Sequence, residues 1–147
     1  MWLIGAAGSL AQIEAGLAGE IIGREVIPQG QALNPELFKV IYTDLLNRKK
    51  TKKSVALALD TAEGYLERKA KRLFKPVFEY LQAMGDARSA SDINHHFERN
   101  HGVSNAVGVC EYLADVGRIE KVSTSVRLTT RSQLEVEELA FFYNGDD

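Results

Sequence analysis

The chain has 147 residues, 45% of them hydrophobic and 26% charged, with 12 Gly and 3 Pro; this suits one ordinary domain or two very small ones and excludes collagenous, low-complexity and wholly disordered chains. The lone cysteine, Cys110, excludes an internal disulfide framework and a cysteine-rich zinc site, which makes the cytoplasm the expected compartment. The net charge of -2 hides a division: residues 48–75 hold ten of the 18 Lys and Arg against Asp60, Glu63 and Glu67, for +7, and the remainder carries -9.

The opening run from Met1 to Ala11 is apolar but has no basic flank, and Gln12 and Glu14 interrupt it. It is shorter than the roughly 20 apolar residues that span a bilayer, so buried structure is expected rather than export or membrane insertion. From Ser9 to about Arg24, Leu10, Ile13, Leu17 and Ile21 recur at helical spacing. Gly16, Gly19 and Gly23 form another stripe, which suggests a second helix or a dimer partner packed closely there, or simple flexibility.

Residues 25–30 read as a short extended piece closing in a turn at Pro28-Gln29-Gly30. Asn34-Pro35-Glu36 then supplies an N-cap, a first-turn proline and a dipole-favoured acid for a helix running toward Asn47. The basic cluster around Lys49, Lys50, Lys52 and Lys53 separates this helix from the next, with Thr51 as its cap. In that longest helix, Val55, Leu59, Ala62, Leu66, Ala70 and Leu73 form the predicted apolar stripe. Lys75-Pro76 stops or kinks it, which places an organisational boundary after residue 75.

Beyond Pro76, Val77, Tyr80, Leu81 and Met84 predict a short amphipathic helix closed by Gly85. Ser89 with Asp92 predicts the capped start of a second helix that buries Ile93 and Phe97, and Asn100-His101-Gly102 a turn. Ser104 is expected to cap a third helix carrying Val107, Cys110, Tyr112 and Leu113 and ending at Gly117. Residues 118–122 and 126–129 then alternate like a hairpin around Ser123-Thr124-Ser125. Ser132 and Glu135 have capping-box spacing, so residues 132–147 are expected to form a final helix. Its Phe141-Phe142-Tyr143 run should pack on the first half of the chain or on a second copy in a homodimer.

The order helix, helix, turn, helix and hairpin over residues 76–131 resembles a winged helix-turn-helix domain, carried by Ile93 to Phe97, Val103-Ser104, the passage Tyr112 to Ile119, and Val126 to Thr129. The fold class expected is mainly α: a helical region 1–75, a winged helix with a small β-hairpin over 76–131, and a C-terminal helix over 132–147. The resemblance implies that Ser104, Asn105 and Gly108 face bases of double-stranded DNA while Arg118, Lys121, Arg127 and Arg131 approach phosphates. The Lys49, Lys50, Lys52 and Lys53 cluster would add electrostatic affinity. Against this stands the third helix, which has no Lys or Arg over residues 103–116 and carries Glu111 and Asp115.

A DNA-binding regulator or accessory factor is therefore the main expectation, with a protein-interaction scaffold as the alternative. No enzyme, cofactor or metal is expected. His95, His96 and His101 come nearest to a ligand set, but adjacent helical residues point about 100° apart. Gly5 to Ser9 lacks the Lys-Ser/Thr of a phosphate loop, and no Asp-x-Asp strand follows the Gly8-Ser9 pair. The first 75 residues resemble the helical part that follows a nucleotidyltransferase catalytic domain, which leaves a further alternative: the non-catalytic helical and winged-helix part of a nucleotidyltransferase-like protein.

Overall fold

The computed structural model describes residues 2–127 and 135–145. The chain is mainly helical with a small antiparallel sheet, and it divides into two units, Met1–Lys69 and Ala70–Asp147. The division falls six residues before the predicted boundary. No helix among the described residues is long and apolar enough to cross a membrane.

The first unit opens with α1 (Trp2–Ala18), whose Ala7, Leu10, Ala11 and Ala15 are buried at helical spacing. The helix ends earlier than expected because Gly19 takes a left-handed conformation, φ 73°, and the Glu20 N–H returns to the Ala15 carbonyl at 2.9 Å. Ile21, predicted inside, is 93% exposed. A second correction concerns residues 25–30, which belong to a helix, α2 (Val26–Leu33), instead of an extended turn. Pro28 sits in its first turn, where no backbone donor is missed, so the local turn signal yields to packing. Close approach to a neighbouring helix also occurs elsewhere than predicted. A β-carbon at Gly16 or Gly19 would meet nothing within 4 Å, whereas Gly30 is buried against Phe38 and Ala11.

Asn34 caps α3 (Pro35–Phe38) as expected, its Oδ1 accepting from the Leu37 N–H at 3.2 Å, and its Nδ2 donates to Glu14 of α1 at 2.9 Å. A π-helical turn, Lys39–Thr43, leads into α4 (Asp44–Asn47). Thr51 caps α5 (Lys52–Leu73), its Oγ1 accepting from the Ser54 N–H at 3.1 Å while Ser54 Oγ accepts from the Thr51 N–H at 2.9 Å. The predicted stripe of α5 holds in part: Ala62 and Leu66 pack against the core and Ala70 is buried, but Ala58 and Tyr65 are the residues that join Leu37, Phe38, Ile41 and Leu45 in the first unit, while Leu59 is 57% exposed. Val55 and Leu59 border an apolar groove of about 260 Å³ with Leu10, Ile41, Leu45 and Ala62. Burial, and then the nearby Glu14 carboxylate, raise the Tyr65 phenol above its ordinary range; no hydrogen bond of good geometry joins the two side chains.

The second unit takes its last-turn residues from α5 and continues with α6 (Lys75–Met84), β1 (Arg88–Ser89), α7 (Ala90–His101), α8 (Ala106–Asp115), β2 (Glu120–Arg127) and β3 (Glu135–Phe142). Gly85 and Gly102 close α6 and α7 at φ 66° and 67°, conformations in which a side chain would be strained. Val77, Phe78, Leu81, Ile93, Phe97, Ala106, Cys110 and Leu113 supply the helical side of the core. The sheet has the order β1-β3-β2, all antiparallel.

Two expectations about this sheet are corrected. The stretch Ser123-Thr124-Ser125 is not a turn, because β2 runs through it with period-two burial from Glu120 to Arg127 and it contains no Gly, Pro, Asn or Asp. Residues 135–142 are a strand rather than a C-terminal helix: Val136 opposes Val126, Ala140 opposes Val122, and the Glu137 and Glu138 carboxylates accept from Ser125 and Ser91. Cross-strand pairing and the β-preferring Phe141-Phe142-Tyr143 run outweigh the helical spacing. Phe141 and Tyr143 are buried in this unit's own core. The proposed Ser132 cap, Arg131 and the hairpin's return through Leu128-Thr129 lie outside the described residues.

Candidate nucleic-acid interface

At the start of α8, the cap is Asn105 and not Ser104; its Oδ1 accepts from the Gly108 N–H at 3.3 Å. A β-carbon on Gly108 would lie 2.8 Å from the Asn105 amide nitrogen, so the glycine makes room for the capping side chain. The Val107 N–H donates to Asn94 Oδ1 of α7 at 3.2 Å. Ser104, Asn105 and Gly108 are thus brought together, with the Asn105 acceptor oxygen committed to its own helix. Ser104 is exposed immediately before the cap.

Arg118 follows Gly117, which adopts φ 71°, in the turn into β2, and its backbone N–H bonds the Leu113 carbonyl at 2.8 Å. Lys121 lies 3.9 Å from Glu111 of α8, and Arg127 lies 3.9 Å from its register partner Glu135. Two of the predicted phosphate contacts therefore face carboxylates, and Glu137 stands opposite Ser125 between them. Such exposed pairs contribute little stability, about 0–1 kcal/mol each, but they offset the positive potential that phosphates require.

Lys49 and Lys50 lie in the connection before α5, and Lys52 and Lys53 in its first turn; all four are exposed. They belong to the first unit and the sheet to the second.

Cys110 is fully buried, and burial followed by the adjacent Glu111 charge pushes its thiol up to about 12. Among the described residues no three His, Cys, Asp or Glu side chains group as a metal site. Two of the three histidines stack on aromatic rings. The His96 ring stacks on Tyr80 with centroids 4.0 Å apart and planes at 25°, and His101 stacks on Phe97 at 5.2 Å. Burial and the neighbouring His101 lower the His96 pKa.

A polar cleft of about 510 Å³ was not anticipated from the sequence. Tyr80 of α6, Arg88 of β1 and His95, His96, Arg99 and Asn100 of α7 border it. The repeats 92/96/100 and 95/99 on α7 carry a helical i, i+4 signal, yet nothing local indicates that Arg88 joins them.

Taken as a class, this is a helical unit followed by an α-β-α-α-β-β unit. The sequence matches no protein family and no curated protein. Among solved structures, the chain is similar to the crystal structure of a nucleotidyltransferase-like protein from Exiguobacterium sibiricum 255-15, with a TM-score of 0.73 at 20% identity. The likeness covers 96% of this chain and 47% of that one, so the chain spans about half the length of the protein it resembles. At this identity the likeness is one of fold.

Proposed function

We propose that the chain is the non-catalytic helical and winged-helix part of a nucleotidyltransferase-like protein, acting as a binding module rather than as the seat of transfer chemistry. The observation that carries this reading is the fold likeness, which extends through both units yet corresponds to 47% of the other protein. Residue chemistry supports it. Nucleotidyl transfer relies on carboxylates that hold divalent cations. The early acids are engaged otherwise: Glu14 accepts from Asn34, and Glu20 accepts from Gln29 at 2.7 Å. Gly8 and Ser9 lie within helix α1.

The order α6-β1-α7-α8-β2-β3 supports the winged helix-turn-helix reading of the second unit, and with it a second function, DNA binding as a regulator. The carboxylates beside Lys121 and Arg127 and the committed Asn105 oxygen weigh against this second reading. Two measurements separate them. The purified chain, incubated with labelled nucleoside triphosphates and Mg²⁺, should transfer no nucleotide, and transfer would overturn the non-catalytic reading. Duplex binding over a salt series should be weak and little changed by neutralising Arg118 and Arg127. Tight, sequence-selective binding lost in those variants would favour the regulator.

A further inference from the structure

We propose that the cleft between α6, β1 and α7 is a binding site for a small phosphate monoester, held by Arg88 and Arg99 with His96 as an additional donor. The inference stands on side chains outside the interface described above and does not depend on the nucleotidyltransferase-like reading.

Arg88 is the first indication. It borders the cleft from a two-residue strand, and its Nε is buried without a hydrogen-bond partner among the described residues. A buried donor left unpaired costs about 1–3 kcal/mol, and since Arg88 as a whole is only half-buried, its remaining guanidinium donors are the ones a ligand in the cleft would meet. Burial raises the Tyr80 phenol, the Arg88 charge acts in the opposite sense, and Asp92 acts with burial. Arg99, exposed on α7, joins none of the ion pairs found among the described residues. Two arginines bordering one cleft offer the paired N–H donors that a phosphate accepts.

His96 is held in a defined tautomer. The Asn100 Nδ2 lies 2.9 Å from the His96 carbonyl and 3.2 Å from His96 Nδ1. The carbonyl can only accept, so it orients the amide nitrogen toward both atoms, and Nδ1 must accept as well. In the neutral ring the proton then resides on Nε2, which remains a donor. The stacked Tyr80 ring fixes the imidazole plane. Asp92 is the opposing charge at the cleft, placed in the first turn of α7 where the helix dipole favours it. The two guanidinium groups outnumber this single carboxylate, and His95 adds another donor. The volume falls within the roughly 300–1,000 Å³ of small-molecule sites.

The test is a titration of the full chain, followed by amide chemical shifts at constant ionic strength, with inorganic phosphate, adenosine monophosphate and adenosine as separate probes. Phosphate and the monophosphate are expected to shift residues 88, 95, 96, 99 and 100, and Arg99→Gln should weaken both by about tenfold or more. Arg99 is exposed, so this variant should keep its fold; Arg88→Lys, which retains the charge but loses the planar fork, should weaken binding as well. Tighter binding of the monophosphate than of phosphate would add the aromatic pair to the site. Adenosine binding as well as the monophosphate, an affinity unchanged in Arg99→Gln, or no shifts at millimolar phosphate would each overturn the proposal.

Discussion

Gly30 and Phe38 approach so closely that a β-carbon on the glycine would stand 2.6 Å from Phe38 Cζ and 2.7 Å from Ala11 Cβ. Phe38 and Ala11 are both fully buried, so neither can yield without disturbing the core of the first unit. Gly30→Ala would ordinarily gain up to about 1 kcal/mol inside a helix. Here it should instead destabilise the protein by about 1–3 kcal/mol, because overpacking exceeds the propensity gain. A raised urea midpoint in the variant would contradict the predicted crowding.

The orientation of α5 makes a paired prediction. Leu59→Gln, at a 57% exposed position, should cost about 1 kcal/mol or less, whereas Tyr65→Ala should cost about 3–5 kcal/mol. Equal losses in thermal or urea unfolding would restore the apolar stripe expected from spacing alone.

Ser89 is 2% exposed, pairs with Ala140 in the sheet and accepts from the Asp92 N–H at 3.1 Å. Ser89→Ala should therefore lower stability by about 1 kcal/mol, with Ser89→Thr losing less of the cap than Ser89→Ala. Amide exchange at Asp92 reads the cap directly and should accelerate in the alanine variant.

Asn105 tests whether a side chain at the start of α8 serves the helix. Asn105→Ala should cost about 1 kcal/mol and Asn105→Asp much less, since the aspartate keeps the acceptor for the Gly108 N–H. Destabilisation of equal size in both variants would argue against the capping role.

Cys110 gives a pH dependence with a definite sign. Its thiol titrates at about 12 in the folded chain against 9.0 for the ordinary group, so above pH 9 the unfolded state sheds a proton that the native state retains. The stabilising contribution is complete below pH 9 and is lost progressively as pH rises toward about 12. Cys110→Ala should flatten this part of the stability profile, and the native thiol should resist alkylation at pH 8 until the chain is unfolded. Rapid alkylation of the native protein would contradict the buried placement.

Much of the second unit was legible locally. Ser89, Gly85, Gly102 and the apolar spacing of Ile93 and Phe97 act through one or two turns of chain, and the helices they bound occur where expected. Asn34-Pro35 is legible in the first unit for the same reason. The failures share another cause. Whether residues 135–142 became helix or strand depended on Val122 and Val126 across the sheet, and whether residues 26–33 coiled depended on Ala11 and Phe38 around Gly30. The candidate cleft belongs to this second kind, since Arg88 reaches it only because β1 pairs with Phe141 and Ala140, about fifty residues away.

The sequence by itself determined the caps at Asn34, Thr51 and Ser89, the stops at Gly85 and Gly102 and the inward faces of α6 and α7, because these follow from backbone donors, left-handed conformations and a period of about 3.6 residues. Only the tertiary structure decided the C-terminal strand, which residues of α5 enter the core, the carboxylates beside Lys121 and Arg127, and the placing of Arg88 and Arg99 along one cleft. Each of these is set by contacts between distant segments, where burial and cross-strand hydrogen bonds outweigh local propensities of less than about 1 kcal/mol per residue.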